Sequence, residues 1–445
     1  MRNGHGPVTP GVPLEVRVSW QLSGHGRRLI TLALAGLLLA VVTRRPEFAG
    51  VAAPAVLLLA GWRRDRPAAI GLRVRLSADR LTEGEQAAVI AEAAGLGSYA
   101  SRMQLRPADY VTPDSKSVPG TVTADGAARF RLPFRAERWG RRPVGTAELI
   151  LTDRLHLAEG LVRVWIPQVA CYPAPARLDR PVVLSALPSR LGEHASRAAG
   201  EGGEFAGVRA FVPGDRQRRV NWPATTRRGS LQLNTFSAER AQNVVLLVDA
   251  SSDVGEPGVS SLDLAVRASA GIAQCYLAAR DRIGLVIYGG HPAWVSPAAG
   301  QRQFHRLADL TLASPAARGP AGTLTRLPRA ALPPGALVLV LSPLLHPFLI
   351  EALRDLRERG CTMLIIDVLN SSPEHAAGRR PLLPGPAGRT AAAITPLAGR
   401  VWTMEQQAIR FSLRELGIPV VHWDGQRGLD QLLAPYTRRV MVVRR

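Results

Sequence analysis

Asn243-Val-Val-Leu-Leu-Val-Asp249 is the stretch that decides how the larger part of this chain folds. It is a nearly continuous apolar run ending in a carboxylate, the pattern of a central strand buried on both faces. Working outward, Leu262, Ala265, Val266, Ser269, Ile272, Ala273 and Tyr276 recur at intervals of three and four, which predicts an amphipathic helix. Ile283–Tyr288 is the next strand. A helix follows over Phe304–Leu312, then a strand over Leu337–Leu341, a helix over Pro347–Arg359 and a strand over Met363–Leu369. A final helix over Met404–Leu416 leads to a strand over Val420–Trp423. Alternating strands and helices predict a doubly wound, mostly parallel sheet. The Pro/Gly-rich stretches Ser314–Gly335 and Ser371–Gly388 are loops on that frame.

Towards the N-terminus the period changes from helical to alternating. Phe130, Leu132 and Phe134 interleave with Arg129, Arg131 and Arg135, so this segment is a strand with one buried face. Ala147–Leu151 and Leu161–Ile166 read the same way, with turn residues such as Asp125-Gly126 and Gly160 between strands. Residues 70–175 are therefore expected to form a β-sandwich. Gly95-x-Gly97-x-x-Ala100 lacks the flanking strand and helix of a phosphate cradle. Residues 176–203 are expected to be a linker, and 204–445 the remaining domain.

The most apolar part lies near the start. Leu29–Thr43 and Phe48–Trp62 are each uncharged runs of about 22 Å as helices, against a hydrocarbon core of about 30 Å. Flanking arginines can snorkel to cover the difference. Residues 29–62 are thus expected to be a two-span transmembrane hairpin in the cell membrane. Arg17, Arg27, Arg28, Arg63, Arg64, Arg66, Arg73 and Arg75 flank it, against Arg44 and Arg45 in its turn. That asymmetry predicts a cytoplasmic tail over residues 1–28 and a cytoplasmic bulk. Three widely spaced cysteines (Cys171, Cys275, Cys361) offer no disulfide framework and agree with a reducing compartment. The chain has 445 residues, 46% of them hydrophobic, which rules out wholesale disorder. Its net charge of +21 is carried almost wholly by arginine, with Lys116 the lone lysine.

Ligands of a doubly wound sheet bind outside the carboxyl ends of its strands. Asp249 sits at such an end, followed by Ala250, Ser251, Ser252 and Asp253. This loop resembles the metal-ion-dependent adhesion site of von Willebrand factor A domains, Asp-x-Ser-x-Ser, whose alternate residues turn oxygen ligands to one side. The resemblance implies Asp249, Ser251 and Thr323 as ligands. Asp253 replaces the last serine, and Ser342-Pro343 stands where that family has a later aspartate. The site is degenerate on this reading, and weak Mg²⁺ binding is the most it implies. Alternatively Asp249 and Ser251 only cap the following loop and helix.

Just upstream, Gly203-Glu-Phe-Ala-Gly-Val-Arg209 is followed by Phe211-Val-Pro-Gly-Asp215, Arg218-Arg-Val-Asn-Trp222 and Thr226-Arg227. This closely resembles the signature of the bacterial domain-of-unknown-function family number 58. That resemblance implies a membrane hairpin, a β domain and a von Willebrand A-like domain. It also implies an adaptor working with a MoxR-type AAA+ ATPase in the assembly or maturation of other proteins. Arg209, Asp215, Trp222 and Asp253 are the partner-binding candidates, and the sheet edge around Asp249, Ser251 and Thr323 is the expected docking face. Physically, the charges around the Pro213-Gly214 turn form either an internal clamp with Trp222 as packed anchor or a docking surface. Gly-x-Ser-x-Gly, His-Glu-x-x-His and Walker motifs are absent. No cofactor is expected, and nucleic acid is not an expected partner. The competing class is a metal-dependent hydrolase using Asp249.

Overall fold

The computed structural model describes residues 14–60, 66–97, 99–123, 127–182, 204–212, 220–237, 242–289, 293–313, 327, 329–369 and 386–436. The chain divides into two units, Met1–Ala174 and Pro175–Arg445. It is a mixed α/β protein with several sheets.

The first unit starts with two short strands, β1 (Leu14–Arg17) and β2 (Ser19–Leu22), followed by helices α1 (Gly24–Thr43) and α2 (Glu47–Ala60). Strands then follow in order: β3 (Ala69–Leu76), β4 (Arg80–Thr82), β5 (Gln86–Ala94), β6 (Ala100–Pro107), β7 (Val111–Pro113), β8 (Val118–Pro119) and β9 (Thr121–Val122). The rest are β10 (Ala128–Ala136), β11 (Gly140–Pro143), β12 (Gly145–Thr152), β13 (Ala158–Trp165) and β14 (Gln168–Tyr172). One sheet runs β1-β3-β5-β10-β7, with β9 also on β10; a second runs β2-β13-β12-β6-β8. Phe130, Leu132 and Phe134 of the first sheet and Leu149, Leu151 and Val162 of the second share one buried core. Their alternation with exposed arginines is the period-2 pattern of the sequence.

The expected free N-terminal tail is corrected from Leu14 onward. β1 pairs antiparallel with β3, and β2 with β13, so residues 14–22 contribute one edge strand to each sheet. Both legs of the helical pair are rooted in the same unit. Trp20 carries much of this junction. Its ring lies 5.0 Å from that of Tyr99, Arg66 stacks on it at 5.6 Å, and its Nε1 donates to the Pro67 carbonyl at 3.1 Å. Ser23 caps α1, accepting from Gly26 N at 2.9 Å while its own N–H donates to the Leu157 carbonyl. Gly26 has to be glycine, because a Cβ there would meet that carbonyl oxygen at 2.4 Å.

α1 begins five residues before the expected run and has 20 residues, about 30 Å at 1.5 Å per residue. It ends where Arg44 takes a left-handed conformation (φ 53°) and returns its N–H to Ala40 and Val41 carbonyls. Among the described residues α1 is the one helix long and apolar enough to cross a membrane, and 11% of its apolar window is buried. α2 begins one residue before the expected run, and its 14 residues cover about 21 Å, short of a full span. The two helices pack together, with Gly36 against Phe48 and Ala52.

The second unit opens with β15 (Glu204–Ala210), α3 (Trp222–Arg228) and β16 (Gln232–Ser237), β15 and β16 forming an antiparallel pair. The main sheet follows: β17 (Asn243–Asp249), α4 (Ser261–Ala278), β18 (Arg282–Tyr288), β19 (Ala293–Ala298), α5 (Gln301–Ala313) and β20 (Leu337–Ser342). It is completed by α6 (Pro347–Glu358), β21 (Thr362–Asp367), α7 (Pro386–Glu415), β22 (Val420–His422) and the short α8 (Leu429–Leu433). The strand order is β19-β18-β17-β20-β21-β22, all parallel except the edge strand β19. β17 is buried on both faces, with β18 and β20 as parallel neighbours. The order reverses at β17, so the switch point of the sheet lies between the ends of β17 and β20.

Residues 175–182, at the start of the expected linker, run against α4; residues 183–203 lie outside the described residues. Ala176 N donates to the Arg267 carbonyl at 2.9 Å, and the buried Tyr276 hydroxyl donates to the Val182 carbonyl at 3.0 Å. Gly271 makes room for this strap, since a Cβ there would sit 1.8 Å from the Ala176 oxygen. Alanine is the better helix former by about 1 kcal/mol, yet the overlap decides the sign. Gly271→Ala is expected to destabilise the second unit by about 1–3 kcal/mol. Thermal scanning of the detergent-solubilised full chain checks it, and an unchanged or raised Tm would show that the strap does not pack there.

Candidate functional site

β17 delivers Asp249 to the switch point, but not to solvent. The residue is fully buried. Its Oδ1 accepts from the Ser251 N–H at 3.0 Å and from the Ser251 hydroxyl; its Oδ2 accepts from the Ser342 hydroxyl at 2.6 Å. Ser342 in turn accepts from Leu344 N at 2.8 Å, and Leu344 takes a left-handed conformation (φ 55°) as the chain turns past Pro343. Ala250 N donates to the Tyr288 carbonyl at 2.7 Å, tying the loop to β18. Burial pushes the Asp249 carboxyl above the ordinary carboxylate range, opposed by the hydrogen bonds from Ser251 and Ser342 and by nearby His346.

At the expected docking edge the Asp249 carboxylate is thus enclosed, with both oxygens engaged by hydroxyl and amide donors. Ser342, at the place where a later acidic ligand was expected, bonds to Asp249 directly. Ser251 is partly buried and faces inward. Asp253 accepts from Leu262 N at 3.3 Å, in the first turn of α4. That helix has its own cap, Ser260 with Asp263, whose Oδ2 also accepts from Gly258 N at 2.6 Å. Thr323 lies outside the described residues. Among the described residues no three His, Cys, Asp or Glu side chains converge on a metal-sized site.

One strand further along, Asp367 at the end of β21 forms a second buried carboxylate that the sequence reading missed. Its Oδ1 accepts from Leu369 N at 3.0 Å, Arg410 of α7 forms an ion pair with Oδ2, and His422 Nδ1 lies 3.6 Å away. The signal was present: Asp367 ends an apolar run just as Asp249 does. Burial pushes the Cys171 thiol up to about 12 and the Cys275 thiol up to about 11.

The signature segment is built differently. Asn221 caps α3, accepting from Ala224 N at 3.0 Å, and its amide donates to Asn234 at 2.7 Å. Thr225 accepts from Gln232 N at 2.9 Å, and Gly229 (φ 65°) closes the helix. These bonds lash α3 to β16. Trp222, the first residue of α3, is 66% exposed, which goes against the packed-anchor alternative for this segment. Val212 and Leu231 are also exposed, in the segment where Phe211 N donates to the Leu231 carbonyl and Asn221 N to the Gln232 carbonyl. Arg209 hydrogen-bonds the Ala210 carbonyl at 3.0 Å, and Arg227 and Arg228 lie in the last turn of α3. Asp215 lies outside the described residues.

Residues 207–375 match the family model described as "Protein of unknown function DUF58". The match runs from the signature strand through the first four parallel strands. Uncharacterized proteins of Mycobacterium bovis and of two strains of Mycobacterium tuberculosis are each 32% identical over 125 residues. That segment is 28% of this chain and 39% of each relative's length.

The buried acid gives a pH test. Its folded pKa is raised above the unfolded value of about 4, so between the two values the folded state holds a proton that the unfolded state has released. Stability from this group therefore falls as pH rises through that window. Asp249→Asn lacks the titration, so its stability relative to the natural chain should improve steadily from about pH 4 upward. Urea denaturation across a pH series measures the difference; parallel curves would mean that Asp249 is not desolvated.

Proposed function

We propose that this protein is a membrane-anchored, cytoplasm-facing adaptor that docks its partner through the β15–α3–β16 segment rather than through the carboxyl edge of the main sheet. The observation that carries this reading is the exposed side chain of Trp222, with Val212 and Leu231 also exposed in the same segment, on a helix hydrogen-bonded to β16. A large aromatic held in water on a capped helix is costly unless something covers it, and tryptophan with arginine is the composition of interface hot spots. The partner proposed, on the family resemblance, is a MoxR-type AAA+ ATPase acting in protein assembly or maturation, with the parallel sheet as a von Willebrand A-like scaffold. Asp215, in the same stretch of sequence, belongs to the same proposal; Asp253, which accepts from Leu262 N at the start of α4, lies at the carboxyl edge of the main sheet and does not. The hydrolase alternative asks Asp249 for an open coordination sphere, whereas both its oxygens are hydrogen-bonded. Weak Mg²⁺ binding at Asp249, Ser251 and Thr323 would require those bonds to be exchanged for the metal.

The membrane part of the proposal is a hairpin that enters and leaves the same leaflet, α1 spanning and α2 returning. Support comes from the pairing of β1 with β3 and of β2 with β13, which keeps both ends of the helical pair on one side. The arginine excess at those ends puts that side in the cytoplasm. Cysteines introduced at Gly4 and Gln431 are expected to resist a membrane-impermeant thiol reagent in intact cells and to react after permeabilisation. Labelling of either without permeabilisation would overturn the topology.

Docking is tested with Trp222→Ala in the full chain, purified in mild detergent. Its Tm is expected to move little, since an exposed side chain contributes within about 0.5 kcal/mol. Recovery of the co-purifying ATPase is expected to fall at least about tenfold, as for loss of a tryptophan hot spot. Undiminished recovery would place the docking surface elsewhere, and absence of any AAA+ protein in the natural chain's eluate would remove the partner.

A further inference from the structure

α7 is two-faced over its well-anchored half. One face, with Gln406 and Leu413 buried and Ile409 packed on the core of the second unit, holds the helix to the sheet. The opposite face carries Val401, Met404, Ala408 and Phe411, at intervals of three, four and three. Ala408 is exposed, and the other three are exposed by 52%, 68% and 64%. Intervals of three and four in that order are the a and d positions of a coiled-coil seam, a repeat that a helix needing only to cover its own core does not require on its outer side. Such a seam left in water marks an interaction surface.

The charges beside the seam select the partner. With Val401 at position a, Arg400 takes the preceding g position and Glu405 the following e position, and both are exposed. In a parallel pair of identical helices each g residue meets the e residue five places on in the other copy. Arg400 then faces Glu405 of the second copy, twice by symmetry. An antiparallel pairing would instead oppose Arg400 to Arg414 of the second copy, like against like. A hollow of about 400 Å³ lies beside Phe411 between α7 and α6, with Ser412, Glu415 and Leu416 on one wall and Arg354, Arg357 and Glu358 on the other. A second, of about 460 Å³, borders Gln407, Ala408 and Arg414 on the other flank. We propose that the outer face of α7 is a self-association surface, on which two copies of this chain pair in parallel through Val401, Met404, Ala408 and Phe411 with reciprocal Arg400–Glu405 ion pairs.

The inference goes beyond the adaptor reading and is tested without its partner. Met404→Cys and Phe411→Cys, at d positions, are introduced singly into the full chain and oxidised mildly in the membranes of expressing cells. Each is expected to give a disulfide-linked dimer of twice the chain mass, at least tenfold above both the natural chain and Thr403→Cys, which sits off the seam. In the Met404→Cys background, R400E and E405R are each expected to reduce the dimer several-fold. The double variant R400E/E405R, and co-expression of the two single variants, should restore it. Equal crosslinking at Thr403 and Met404, or no dimer at either d position, would overturn the proposal. Single charge reversals without effect would overturn the parallel pairing. Crosslinking to a species of different mass would assign this face to another protein.

Discussion

A peptide group taken out of water has to find its hydrogen-bond partner within the chain, and that requirement shapes both of the most apolar segments here. α1 meets it internally, through the hydrogen bonds of its own helix. β17 cannot, and meets it by lying between two parallel strands that are themselves covered on both faces. Once a doubly buried strand sits at the centre, crossover helices on either side and a reversal of strand order follow from chain connectivity. The polar side chains at its end are bound by the same rule. Asp249 emerges from a strand with no water around it, and only Ser251 and Ser342, brought in by the adjoining loop and the adjoining strand, make it tolerable there.

The same rule explains what could be read in advance. Elements whose burial is periodic along the chain were legible: the 243–249 run, the α4 face from Leu262 to Tyr276, and the Phe130-Leu132-Phe134 alternation all carry their environment in their own spacing. Residues 14–22 do not. They are two four-residue strands with half their positions exposed, and their partners lie at Ala69–Leu72 and Ala158–Leu161. Nothing local distinguishes them from a polar tail. The partner of Asp249 was equally out of reach, because Ser342 is 93 residues away and becomes adjacent only through the parallel register of β17 and β20. Composition misleads most at Trp222: a tryptophan inside a charged motif suggests an anchor, but whether α3 turns it inward depends on the Asn221 and Thr225 bonds to β16.

The two carboxylates at the sheet edge and the aromatic on the hairpin therefore divide the labour of the second unit. Asp249 and Asp367 fasten strand ends to the loops that follow them, and with Ser260 and Asp263 they make the edge of the sheet stiff. Such a frame is what allows an appended element like β15–α3–β16 to present exposed apolar groups without collapsing onto the core.

The placement of β1 and β2 ahead of the apolar helices also fixes an order of events during biogenesis. A ribosome releases residues 14–60 before either strand has anything to pair with. β1 waits for β3, and Ser19 waits for Leu161, 142 residues downstream. The apolar helices leave the exit tunnel while the β domain that will hold both their ends is still unmade. The start of α1 is therefore fixed to the β domain only once the chain has been made as far as Leu161.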